Sequence, residues 1–145
     1  MKPRTDQSTS STLQSVIASV LVEGDNLVLL RRSAAVKWDT GLWQCVTGYL
    51  EDGKDPWIQT IQELAEETSL DERQLRLRTR PKTVSIVDAS RVWLVYCTIF
   101  EVVDGIVSLN WENDAISRVC RLEDLPGPFV SWLPQVLYAV GWREG

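Results

Sequence analysis

The stretch Gly48–Leu70, GYLEDGKDPWIQTIQELAEETSL, decides how the chain is read. Asp52-Gly53 is turn chemistry. Asp55-Pro56 is a helix start: the aspartate can cap the first free backbone N–H groups, and proline suits a first position whose N–H has no partner. From there the apolar residues fall at Trp57, Ile58, Ile61, Leu64 and Ala65, one face of a helix. At about 100° per residue, Glu63, Glu66 and Glu67 project from the opposite face, spaced i, i+3 and i+4. Such a cluster is ordinarily a solvated acidic face. Its mutual repulsion costs little in bulk water and becomes useful where the carboxylates share a divalent cation.

Upstream of this helix, Ser15 to Glu23 reads as a strand, Gly24-Asp25-Asn26 as a turn and Leu27 to Arg32 as the hairpin partner. Ser33 to Thr40 is a loop, and Leu42 to Gly48 a short strand delivering the chain to the turn. Downstream, strands are expected at Gln74 to Arg78, Thr83 to Val87, Ile106 to Leu109 and Ser117 to Leu122. Arg91 to Val103, RVWLVYCTIFEVV, has the length and β-branched content of a central buried strand. Ser131 caps a last helix running through Val140 and stopped by Gly141. The sum is a mixed sheet flanked by two helices, an α/β architecture.

Composition narrows the chemistry. A chain of 145 residues with 44% hydrophobic and 24% charged content suits one domain, residues 13–145, behind a polar Ser/Thr-rich tail at 1–12 expected to be disordered. The net charge of −5 supports neither a DNA nor an anionic-membrane partner. Val16 to Val22 is too short to span a bilayer, and Glu23 and Asp25 stand where a signal peptide would need small residues. Cys45, Cys97 and Cys120, odd in number and set in apolar sequence, read as buried reduced thiols of a cytoplasmic protein. The chain has no histidine, which removes Ser-His-Asp and Cys-His triads and leaves carboxylates as the natural cation ligands.

The 48–70 stretch resembles the Nudix box: G, five residues, E, seven residues, R-E-U-x-E-E-x-G-U, with U a bulky aliphatic. Gly48, Glu63, Leu64, Glu66, Glu67 and Leu70 stand at the required spacings, and Gly41, Trp43, Glu51 and Gly53 fit the common lead-in. Three positions depart: Lys54 replaces a glutamate, Gln62 the arginine and Ser69 the late glycine.

The resemblance implies an α/β/α sandwich and metal-dependent hydrolysis of the pyrophosphate linkage of a nucleoside diphosphate derivative. Mg²⁺ or Mn²⁺ would be held by Glu63, Glu66 and Glu67, with the Gly48 carbonyl and a further acid, Glu112 first and Asp114 second. Glu63 and Glu67 are the candidate catalytic carboxylates, and Glu63 holds a position often given a base or base-supporting role. Arg31 or Arg32, at a strand end, would bind phosphate through a planar guanidinium. Lys54 would pair with a glutamate or touch phosphate, and Trp38 and Trp111 are candidate stacking platforms. Loss of the charged pair at Lys54 and Gln62 favours an alternative, a Nudix-like module that binds a nucleotide or protein without turnover. A homodimer is a common arrangement among similar proteins.

Overall fold

The computed structural model describes residues 13–88 and 90–142; the tail at 1–12 lies outside them. Strands β1 (Leu13–Glu23) and β2 (Asn26–Arg32) form the expected hairpin. The segment expected as one strand from Leu42 is two, β3 (Trp43–Gln44) and β4 (Val46–Tyr49). They take different partners, β3 pairing with β2 and β4 with β1, so the chain must break at Cys45 to change sides. Helix α1 (Pro56–Thr68) follows, then β5 (Leu75–Leu77), β6 (Lys82–Asp88), β7 (Arg91–Val102), β8 (Asn113–Val119) and α2 (Leu133–Ala139).

All strands join one eight-stranded mixed sheet in the order β3-β2-β1-β7-β5, with β4 on β1, β6 on β7 and β8 on β2. Strands β1 and β7 are parallel and pair over ten residues, from Leu13 opposite Val92 to Val22 opposite Glu101. Both faces of β1 are covered, which is why it reads as a continuous apolar run. Leu21, Val28, Leu30, Leu64, Leu70 and Phe100 pack under α1, and Val16, Val20, Trp93, Val95, Leu133 and Val136 under α2. The result is the α/β/α sandwich.

Four further expectations are corrected. Ile106 to Leu109 is not a strand: the Ser108 N–H donates to the Thr68 carbonyl, tethering this segment to the end of α1. The strand placed at Ser117 to Leu122 is β8, beginning at Asn113, because its pairing to β2 runs back through polar residues that carry no apolar pattern. Helix α2 starts at Leu133 with Pro134 in its first turn; Trp132 holds the cap position and no side chain caps it, so Ser131 does not. Cys45 and Cys97 are buried, but Cys120 is exposed just past β8.

Asp55 caps α1 as expected, its carboxylate accepting from the Trp57 and Ile58 N–H groups at 2.8 and 3.4 Å. The far end of α1 closes on Ser69, a non-glycine residue at φ 65° whose hydroxyl donates to the Ser108 carbonyl at 3.1 Å. A left-handed backbone disfavours any Cβ. Ser69→Gly and Ser69→Ala both lose the hydroxyl bond, but only glycine relieves the backbone. Chemical denaturation should therefore find Ser69→Gly more stable than Ser69→Ala by about 1 kcal/mol.

Candidate active site

One edge of β1 serves two antiparallel partners: β2 pairs with Leu21 to Glu23 and β4 with Val16 to Ser19. The two partners diverge from that shared edge, and a cleft of about 260 Å³ lies there, lined by Val16, Arg32, Trp38, Gln44, Gly48 and Glu63 among others. Glu112 and the aromatic rings of Tyr49 and Trp132 complete its wall.

Helix α1 presents Glu63 to this cleft, and it is rolled differently from what the apolar pattern suggested. Ile58 is 58% exposed and Ala65 is exposed, while Thr60, Leu64, Glu67 and Thr68 are buried. Glu67 therefore faces the sheet, at 1% exposure; Glu63 is half-buried and only Glu66 is exposed. Close approach permits this: a Cβ at position 48 would collide with the Glu63 carboxylate, so any side chain there would displace Glu63.

Neutral amides hold these acids. Asn113 Nδ2 donates to Glu67 Oε1 at 3.4 Å, Gln44 Nε2 to Asn113 Oδ1 at 3.4 Å, and Thr47 Oγ1 to Gln44 Oε1 at 3.4 Å. Gln59 Nε2 donates to Glu63 Oε2 at 2.9 Å. On the outer flank Lys54 Nζ donates to Gln62 Oε1 at 2.7 Å, and Gln62 Nε2 to Glu66 Oε1 at 3.4 Å. Lys54 thus reaches a glutamate only through Gln62. Asn113 and Gln44 escaped the sequence analysis, since nothing in a lone amide reveals that the fold buries it beside an acid.

The electrostatics are those of crowded acids. Burial first, then the Glu66 charge, push the Glu63 pKa up to about 7, against the Gln59 hydrogen bond. Burial, then the charges of Glu112 and Glu63, hold Glu67 well above the usual carboxylate range, with Asn113 and Arg32 opposing.

The two arginines separate, as alternation along a strand requires. Arg32 lines the cleft, its Nε donating to the Trp38 carbonyl at 2.7 Å. Arg31 bonds Asp114 at 2.8 Å and lies 5.7 Å from the Trp43 ring centre. Asp114 is thereby engaged with Arg31, whereas Glu112 lines the cleft and its carboxylate accepts from Asn110 Nδ2 at 3.1 Å. Trp38 lines the cleft at 42% exposure; Trp111 is 65% exposed and outside the lining set.

Among the described residues no three acids converge into a closed cation site. The donor chemistry nonetheless suits a hard divalent ion: Glu67 Oε2 is buried without a hydrogen-bond partner, and its neighbours Glu63 and Glu112 raise the cost of its charge. Because folding raises the Glu63 pKa from 4.5 to about 7, the native state binds that proton more tightly than the unfolded chain does. The associated stability is complete below pH 4.5 and is lost as pH rises to about 7. Thermal melts of the metal-free chain should show this decline, and Glu63→Gln should flatten it over that window.

Comparison with known proteins follows the same lines. A search of the curated proteins returned no match. Solved structures of similar fold include a MutT NUDIX hydrolase from Burkholderia pseudomallei, 18% identical over 87% of this chain and 96% of that one, TM-score 0.64. An Ap4A hydrolase from C. elegans is 20% identical over 77% of this chain and 82% of that one, TM-score 0.60. An ADP-ribose pyrophosphatase from Streptococcus suis is 19% identical over 80% and 78%, TM-score 0.56. At these identities the likeness is one of fold. The family model for the NUDIX domain matches residues 12–140, nearly the whole length, and the chain belongs to the Nudix family.

Proposed function

We propose that the chain hydrolyses the pyrophosphate linkage of a nucleoside diphosphate derivative with the help of a divalent metal. The observation that carries this reading is the pair Glu63 and Glu67, crowded and desolvated beside a cleft that also holds Arg32. A surface helix has no electrostatic reason to turn a glutamate inward and leave Glu67 Oε2 without a partner.

The Gly48 carbonyl, Glu63, Glu66, Glu67 and Glu112 would hold Mg²⁺ or Mn²⁺. Once bound, the ion would neutralise the diphosphate charge and make an attacking water more acidic. The chain's own residues do the rest. Glu63 lines the cleft and is the carboxylate placed to accept the water's proton. Glu67 is kept in one orientation by Asn113, which Gln44 in turn aligns. Arg32 is braced at Nε by the Trp38 carbonyl, leaving its terminal N–H groups for phosphate oxygens. Trp38, Tyr49 and Trp132 give the cleft an aromatic wall suited to a nucleoside's base. The reading carries a reducing, cytoplasmic setting with it, consistent with the buried thiols of Cys45 and Cys97. Among the described residues no helix is long and apolar enough to cross a membrane.

A second reading, binding without turnover, has one specific observation in its favour. Lys54 and Gln62 support Glu66 through an exposed hydrogen-bond chain in place of a charged pair. A panel including ADP-ribose and diadenosine tetraphosphate, assayed with Mg²⁺ or Mn²⁺, decides between the two. Turnover falling about 10²-fold or more in Glu67→Gln supports the hydrolase. No turnover on any substrate, with ligand binding unchanged in chelator, supports the module. On the substrate found, Arg32→Ala should raise KM about tenfold or more and Arg31→Ala far less, because only Arg32 lines the cleft.

A further inference from the structure

The edge of the sheet opposite the cleft is built differently. Strand β6 pairs with β7, and among the described residues no strand covers its other side. On one face Val84 and Ile86 meet Pro134, Gln135 and Tyr138 of α2 in an open groove of about 750 Å³, and Tyr138 is 82% exposed. On the other face Val87 is 72% exposed and extends a row through Val92 to Leu13, itself 48% exposed. Natural edges are ordinarily short, bulged or interrupted by proline; this one is seven residues and regular in pairing, with Val84 and Ile86 on one face and Val87 beside Thr83 and Ser85 on the other.

Its sequence, KTVSIVD, is self-complementary in the antiparallel sense. A two-fold axis perpendicular to the sheet keeps side chains that meet across the strands on one face, so only registers centred on a residue are allowed. The register centred on Ser85 overlaps the full strand. It sets Val84 against Ile86 of the second copy on the groove face, and Thr83 against Val87 on the other. At both ends it sets Lys82 against Asp88, a residue that also makes a contact within its own chain. A charge at one end alone would guard the edge; opposite charges at the two ends select this register.

We propose that β6 is the interface between two copies of this chain, paired antiparallel about Ser85, with the two α2 helices side by side over the joined grooves. The sheet then runs unbroken through both copies, and the exposed Tyr138 rings of both copies cover the groove. The surface lies across the sheet from the cleft, so the proposal stands or falls independently of catalysis.

Sedimentation equilibrium of the full chain at micromolar concentrations tests it. The wild type should be a dimer. Lys82→Asp and Asp88→Lys, each opposing like charges at both ends, should weaken association by about tenfold. The double exchange Lys82→Asp with Asp88→Lys should restore it, which loss of folding in a single variant could not do. Circular dichroism of each variant verifies the fold. A wild type that is monomeric throughout, as when residues 1–12 of the same chain cover the edge, overturns the proposal. So does a dimer whose constant is the same in all variants, or a double exchange that fails to recover.

Discussion

Strand β1 cannot offer the whole of one edge to both β2 and β4, and most of what distinguishes this molecule follows from that competition. Each partner takes part of the edge, so the two diverge and leave room between them. Closing the gap would satisfy more backbone hydrogen bonds and would abolish the cleft. The change of partner at Cys45 keeps it open, sending β3 to β2 and β4 to β1 within a few residues.

Within that space the chain substitutes neutral groups for charged ones. Asn113, Gln44 and Thr47 form a line of hydrogen bonds, buried except at Thr47, ending on Glu67, and Gln59 performs the same service for Glu63. An arginine in those places would lower both carboxylate pKa values and blunt their readiness to share a proton or a cation. Amides fix orientation while leaving the acids electrostatically unsatisfied. Arg32 brings opposing charge to Glu67 from the cleft wall.

The architecture and the acidic helix were legible because they depend on local rules. Asp55-Pro56 can hardly begin anything but a helix, and the run from Arg91 has no reading other than a strand. The spacing of Gly48 and the three glutamates carried the family resemblance through to the match over residues 12–140. What escaped was set by tertiary contacts. The apolar pattern of α1 placed Ile58 inside and Glu67 outside, and packing against the sheet reversed both. Alternation allowed either Arg31 or Arg32 into the cleft; the pairing of β2 decided it. The strand expected at Ile106 to Leu109 had adequate composition but no free partner, because α1 already held Ser108.

The segment leading into α2 carries a consequence for how the cleft is held. Trp43 donates to the Pro128 carbonyl at 3.0 Å, and its own carbonyl accepts from Val130 at 3.0 Å. The last stretch of chain is thereby sewn to β3, one residue from Gln44, which is one hydrogen bond from Asn113 and two from Glu67. The C-terminal helix does more than cover a core; its anchorage is a brace for the acids. A substitution that loosens the chain near Pro128 therefore acts on β3, the strand that carries Gln44.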